Sequence, residues 1–186
     1  MQERLKTEIG GTGFTLLQML ITCVIIGVLA AAAIPAFSVW YPNYRLRSAA
    51  RAIFSDLQLA KFQAVRANGE YGVVFDSGVG RYQVVSGGED QDFGTTDDVL
   101  VKTVVLADEY GQDVVFGHGN ATSPIGSTFG DEVTFTANRA TFNPRGLGKS
   151  GYVYLANRKG RSIAIGTRSS GLIVMKKWND STTRWE

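Results

Sequence analysis

From Phe14 to Phe37 the chain runs for 24 residues without an Asp, Glu, Lys or Arg. As a helix this run is about 36 Å long at about 1.5 Å per residue, against about 30 Å of bilayer hydrocarbon. Lipid offers a bare backbone no hydrogen-bond partner, so such a run is expected to be helical. A polar leader, Met1–Gly13, stands before it. Three readings apply: an ordinary signal peptide cut at Ala31-Ala32-Ala33, a plain single-pass anchor, or a signal cut on the N-terminal side of the run, which is then kept. An ordinary signal core holds about 7–15 apolar residues, fewer than this one.

The next stretch changes character twice. Phe37, Trp40, Tyr41 and Tyr44 cluster where the apolar run ends, the composition of a membrane–water belt, and Pro42 permits a bend. Residues 44–67 then read as an amphipathic helix. Leu46, Ala49, Ala50, Ile53, Leu57, Ala60, Ala64 and Val65 recur at three- and four-residue steps, with Arg45, Arg51, Ser55 and Lys61 largely elsewhere. Asn68-Gly69 is a helix stop. From Gly72 the period becomes that of strands. The candidates are 72–75, 81–86, 99–106, 114–116, 132–135, 140–142, 152–156, 162–166 and 172–177, separated by Gly, Asn, Asp and Ser clusters. Short turns in place of crossover helices predict antiparallel pairing. Residues 117–130 read as the least structured stretch, a mobile loop. The expected fold is α+β: a long N-terminal helix packed on an antiparallel sheet or sandwich. The expected divisions are 1–13, 14–37, 38–69 and 70–186.

Charge sharpens this picture. The net charge of +2 conceals a segregated chain. Between Glu70 and Ala140 there are three basic and twelve acidic side chains; from Thr141 onward there are nine basic and two acidic. Such polarity suits docking between unlike faces, or a basic patch for a polyanion. The lone cysteine, Cys23, lies in the apolar run, so no disulfide closes within the chain. The roughly 150 residues beyond the run suffice for one domain with its own core.

Catalytic chemistry finds little to work with. The one histidine, His118, stands in a glycine-rich loop, and Ser150 beside Lys149 has no supporting motif. Two charged stretches are candidates for binding. Asp90, Asp92, Asp97 and Asp98 lie among glycines in an acidic loop and are candidate calcium ligands, although their spacing is not that of an EF-hand; a solvated loop is the alternative. In the basic C-terminal third, Arg161, Arg168, Lys176 and Lys177 are candidate phosphate contacts for DNA, with a solvated or subunit-docking face as the alternative.

Gly13-Phe14-Thr15-Leu16-Leu17, the apolar run and Pro35 together resemble the signal of type IV pilins and of the pseudopilins of type II secretion. The resemblance implies that a prepilin peptidase cuts between Gly13 and Phe14 and N-methylates Phe14, and that Pro35 is a helix-kinking proline. It further implies a cytoplasmic leader and an extracytoplasmic domain on the inner membrane. The implied partners are the assembly platform and other pilins, met through the N-terminal helix. Gln18 stands where the family carries a Glu that pairs with a neighbour's N-terminal amine; the tip pseudopilin of type II secretion also lacks that Glu. Leu57-Gln58-Leu59-Ala60-Lys61-Phe62-Gln63-Ala64-Val65-Arg66, Thr141-Phe142-Asn143-Pro144-Arg145-Gly146 and Ser169-Ser170-Gly171 resemble the pseudopilin H and FimT group. The implied function is a minor pilin or pseudopilin in protein secretion or pilus initiation. FimT-type relatives bind DNA through a G-R-x-R-like element, whose place here reads Gly171-Leu172-Ile173-Val174. The alternatives are that DNA-uptake role and a signal-anchored periplasmic protein outside any filament.

Overall fold

The computed structural model describes residues 14–91, 93–126, 129 and 131–186, and within these the side chains at 32, 34–36 and 39 are left undescribed. The leader with Gly13, the whole of Asp92 and the side chain of Pro35 therefore lie outside the described residues. The chain divides into two compact units, Met1–Ser38 and Val39–Glu186.

One helix, α1 (Leu16–Ala67), is common to both units and is helical through both prolines. In the first unit Thr15 stands just before its start, and the Thr15 Oγ1 accepts the backbone N–H of Gln18 at 3.2 Å. Thr15-Leu16-Leu17-Gln18 thus has the spacing of a capping box, with Gln at its third helical position. At the other end Asn68 takes a left-handed conformation (φ 54°) and Gly69 N–H reaches the Ala64 carbonyl at 3.2 Å. That is a Schellman stop, at the dipeptide where the sequence predicts one.

In the second unit α1 is followed by β1 (Tyr71–Asp76), β2 (Arg81–Ser86), β3 (Val99–Val105), α2 (Leu106–Tyr110) and β4 (Val114–Phe116). Then come β5 (Arg139–Phe142), β6 (Gly151–Asn157), β7 (Ser162–Thr167), β8 (Ile173–Asn179) and β9 (Arg184–Trp185). Two antiparallel sheets result, with orders β3-β2-β1-β5 and β4-β6-β7-β8-β9. The predicted core stripe of α1 meets both: Leu46, Ala49, Ala50, Ile53, Leu57, Ala60 and Ala64 are buried in one cluster with Val73, Phe75, Val84, Val153, Leu155 and Ile165. Small alanines at successive contacts let the helix lie close on the strands. Val65, expected on that stripe, is half-exposed instead.

Three expectations are corrected. The segment 132–135 is not a strand: it makes two backbone bonds to β6 around the single bridge of Val133 to Val153, Thr134 N–H to the Tyr152 carbonyl and Tyr154 N–H to the Glu132 carbonyl, and the ladder stops there because Thr134 Oγ1 accepts the Tyr152 N–H. Leu106 begins the short helix α2 and does not end β3, and the turn closes at Gly111 with φ 75°. The described part of 117–130, although irregular, is pinned to the second sheet. Tyr154 Oη accepts the Ile125 N–H at 3.0 Å, Trp185 Nε1 donates to the Ser123 carbonyl at 2.7 Å, and His118, Phe129, Tyr154, Trp185 and Trp178 form an unbroken chain of ring contacts.

Candidate functional site

The first unit presents its large apolar side chains outward on every side. Phe14, Leu16, Leu17, Met19, Leu20, Ile21, Val24, Ile25, Ile26, Val28, Leu29 and Phe37 are all exposed in the isolated chain. A helix apolar all round is a buried element, so this one requires lipid or other helices about it. Among the described residues no helix is long and apolar enough to cross a membrane. Phe14 precedes the first helical residue by two positions, and Gln18 is exposed within the first turn.

Asp97 and Asp98 of the acidic loop turn onto their own backbone. Asp97 Oδ2 accepts the Glu89 and Asp90 N–H groups at 2.7 and 3.1 Å, and Thr95 Oγ1 donates to its other oxygen at 2.5 Å. Asp98 accepts the Gly94 N–H at 2.9 Å. These bonds, the Thr95 hydroxyl first, hold the Asp97 carboxyl down at about 2. The two carboxylates staple the loop. Among the described residues no group of three or more His, Cys, Asp or Glu side chains converges as a metal site would require.

The four basic candidates are not gathered into one patch. Arg161 precedes β7 and Lys177 pairs in register with Ile163, so both sit at one end of the sheet, where they line a cleft with Asn43 and Arg47 of α1. Arg168 follows β7 at its opposite end. Lys176, whose side chain leaves the other face of the strand, donates to the Trp185 carbonyl at 3.2 Å.

Sequence reasoning missed the groups that fix α1 on the sheets. Asp56, 5% exposed in a stripe of apolar residues, accepts Tyr82 Oη at 2.7 Å and Lys102 Nζ at 2.8 Å. Arg45 rests over the Tyr41 ring and shares Asp113 with Arg158. Lys61 Nζ donates to the Gly171 carbonyl at 2.9 Å. The last contact explains two of the motif segments. Gly146 and Gly171 both have φ +73°, and a Cβ on Gly171 would lie 1.8 Å from the Gly146 oxygen. The turn 143–146 and the turn before β8 are thus packed backbone to backbone under Lys61. A signal existed: the lone Asp56 among core positions could only be read as a polar group requiring a partner on the sheet.

A long helix, apolar in its first part and seated in its second on antiparallel sheets, is the architecture of a pilin-like subunit. The family model for the type II transport protein GspH matches residues 49–171, from the buried half of α1 to the glycine before β8. The chain belongs to this family, the GspH-type pseudopilins of type II secretion. Among solved structures, the minor pseudopilin EpsH from the type 2 secretion system of Vibrio cholerae aligns at a TM-score of 0.44 and 11% identity, over 70% of this chain and 95% of that one. The solution structure of Escherichia coli GspH aligns at 0.49 and 16% identity, over 75% and 92% of the two chains. No curated protein sequence matches significantly.

Proposed function

We propose that the chain is made as a precursor, cut between Gly13 and Phe14 by a prepilin peptidase, N-methylated at Phe14, and held in the inner membrane with its β-bearing unit on the periplasmic side. From there an assembly platform draws it into a short pseudopilus, where residues 14–67 pack against the corresponding helices of other pseudopilins. Its work is mechanical: the helices hold the filament together while the β-bearing unit presents the surface met by neighbours or cargo. The carrying observation is the exposure of the large apolar side chains described between Phe14 and Leu29 and at Phe37, which demands lipid in the one state and helices in the other. Family membership supplies the machine.

The mass of the mature N-terminus, measured in cells with an active prepilin peptidase, tests this reading. A chain beginning at N-methylated Phe14 is expected. A chain beginning near Ala33 or Ile34 would make this an ordinary exported β-domain, and an intact Met1 would make it a plain anchor outside any filament.

A further inference from the structure

Two clefts of the second unit meet at Arg47. One, of about 80 Å³, lies between α1 and the end of the second sheet, and is lined by Asn43, Arg47, Arg161, Ser162 and Lys177. The other follows α1 itself past Trp40, Tyr44, Arg47 and Arg51. These last four recur at helical steps and form one stripe. Trp40 and Tyr44 are stacked with centroids 5.2 Å apart, and both are exposed.

The charges of this groove stand apart from those that hold the fold. Arg45, Arg158, Arg81 and Lys102 are spent on Asp113, Asp76 and Asp56. Arg47, Arg51 and Lys177 carry no ion pair among the described residues, and Arg161 alone meets an acid, Asp180, at 3.5 Å. Four cations against one carboxylate in an open groove attract an anion.

Sequence position says which anion. No Asp, Glu, Lys or Arg occurs from Phe14 to Tyr44, a span of 31 residues. The first charges after the membrane segment are therefore Arg45, Arg47 and Arg51, the place where a juxtamembrane segment meets headgroups. Trp40 and Tyr44 are the residue types of the interface, and Arg47 follows three positions on, one helical turn along the same stripe. We propose that the groove of Arg47, Arg161 and Lys177 seats the phosphate of an anionic phospholipid headgroup, tying the β-bearing unit to the membrane surface before assembly; the proposal rests on the membrane-anchored reading above. Guanidinium groups supply the paired donors that a phosphate diester accepts, and Lys177 adds a point charge. Leaving the bilayer for the filament then requires this headgroup to be released.

The test uses the full chain in vesicles of phosphatidylcholine alone or with added phosphatidylglycerol, treated with an uncharged amine-acylating reagent and read lysine by lysine by peptide mass. Co-flotation with both vesicle types is expected. In the anionic vesicles Lys177 should be acylated about fivefold more slowly relative to Lys159. The protection should vanish at about 0.5 M salt, and Arg47→Gln should abolish most of it. Equal acylation of Lys177 in both vesicles overturns the proposal, as does protection that survives Arg47→Gln. Equal protection by inorganic phosphate in neutral vesicles makes the site one for free anion and overturns the lipid source. Protection in neutral vesicles that grows with protein density assigns the groove to a neighbour's acidic face. Failure to float with any vesicle overturns the anchored reading itself, an outcome distinct from all the others.

Discussion

Asp56 shows how a single side chain ties helix to sheet. It stands on the face of α1 that is otherwise alanine, leucine and isoleucine, and it is kept there because Tyr82 and Lys102 both reach it. Removing the carboxylate leaves the Tyr82 hydroxyl, on a fully buried ring, without its acceptor. Asp56→Ala is expected to cost about 2 kcal/mol, since Lys102 is partly solvated and recovers water; Asp56→Asn, which still accepts from Tyr82, should cost less. Thermal unfolding of both variants in mild detergent measures the difference. The same pair sets an alkaline limit. Burial, and then the hydrogen bond to Asp56, push Tyr82 far above the ordinary tyrosine range, and burial raises Tyr110 and Tyr154 in the same direction. A group raised on folding stabilises fully below its unfolded value of about 10 and loses that contribution as pH climbs beyond it. Stability should therefore be level below about pH 10 and fall above it, at about 1.4 kcal/mol per pH unit for Tyr82 alone. Tyr82→Phe should flatten the slope.

Among the elements, the two positive-φ glycines that touch are the most demanding. Gly171→Ala sets a Cβ into the Gly146 carbonyl and forces a left-handed residue besides, so a loss of at least about 2 kcal/mol is expected. Gly78→Ala, whose nearest atom would be 3.8 Å away, is expected to change stability by less than about 0.5 kcal/mol. Comparing the two melting temperatures separates the packed turn from the open one. The acidic loop gives a second expectation. Asp97→Asn weakens the staple on Glu89 and Asp90, and amide hydrogen exchange at those two residues should quicken while the strands are unmoved. Because the Asp97 carboxyl is depressed to about 2, the wild-type staple should hold above about pH 4 and open as pH falls through about 2. Legibility at this scale followed from local periodicity. The core stripe of α1, its stop at Asn68-Gly69, and strands such as β2 and β4 are set by side-chain period and turn residues close in sequence. What stayed hidden depends on distant partners. The two-residue β9 exists because Trp185 packs on Tyr154 and Trp178 and hydrogen-bonds Ser123, and 132–135 stops at one bridge because the Thr134 hydroxyl accepts the Tyr152 N–H that a longer ladder would use.

For the molecule in its assembly, the residue to test is Gln18, which stands where the resemblance to type IV pilins implies a Glu. Gln18 occupies the third helical position after the Thr15 cap, where Gln and Glu serve the helix start equally well. Exchanging one for the other therefore changes charge without changing the start of α1, which makes the substitution a clean probe. If the subunit sits within the filament shaft, its Gln18 leaves a neighbour's N-terminal amine without a counter-ion in a low-dielectric bundle, a penalty of several kcal/mol. Gln18→Glu should then raise the fraction of subunit recovered in sheared pseudopili several-fold. At the tip, where no amine approaches from above, the same change should leave incorporation unaltered and only add an unpaired carboxylate. Gln18→Ala supplies the reference: it removes the amide and the capping potential together and should lower incorporation in either position. Counting the subunit per filament by quantitative mass spectrometry for the three chains distinguishes shaft from tip. A charge that helps as much as expected of the shaft, in a filament holding one copy of the subunit, would contradict the electrostatic account of this position.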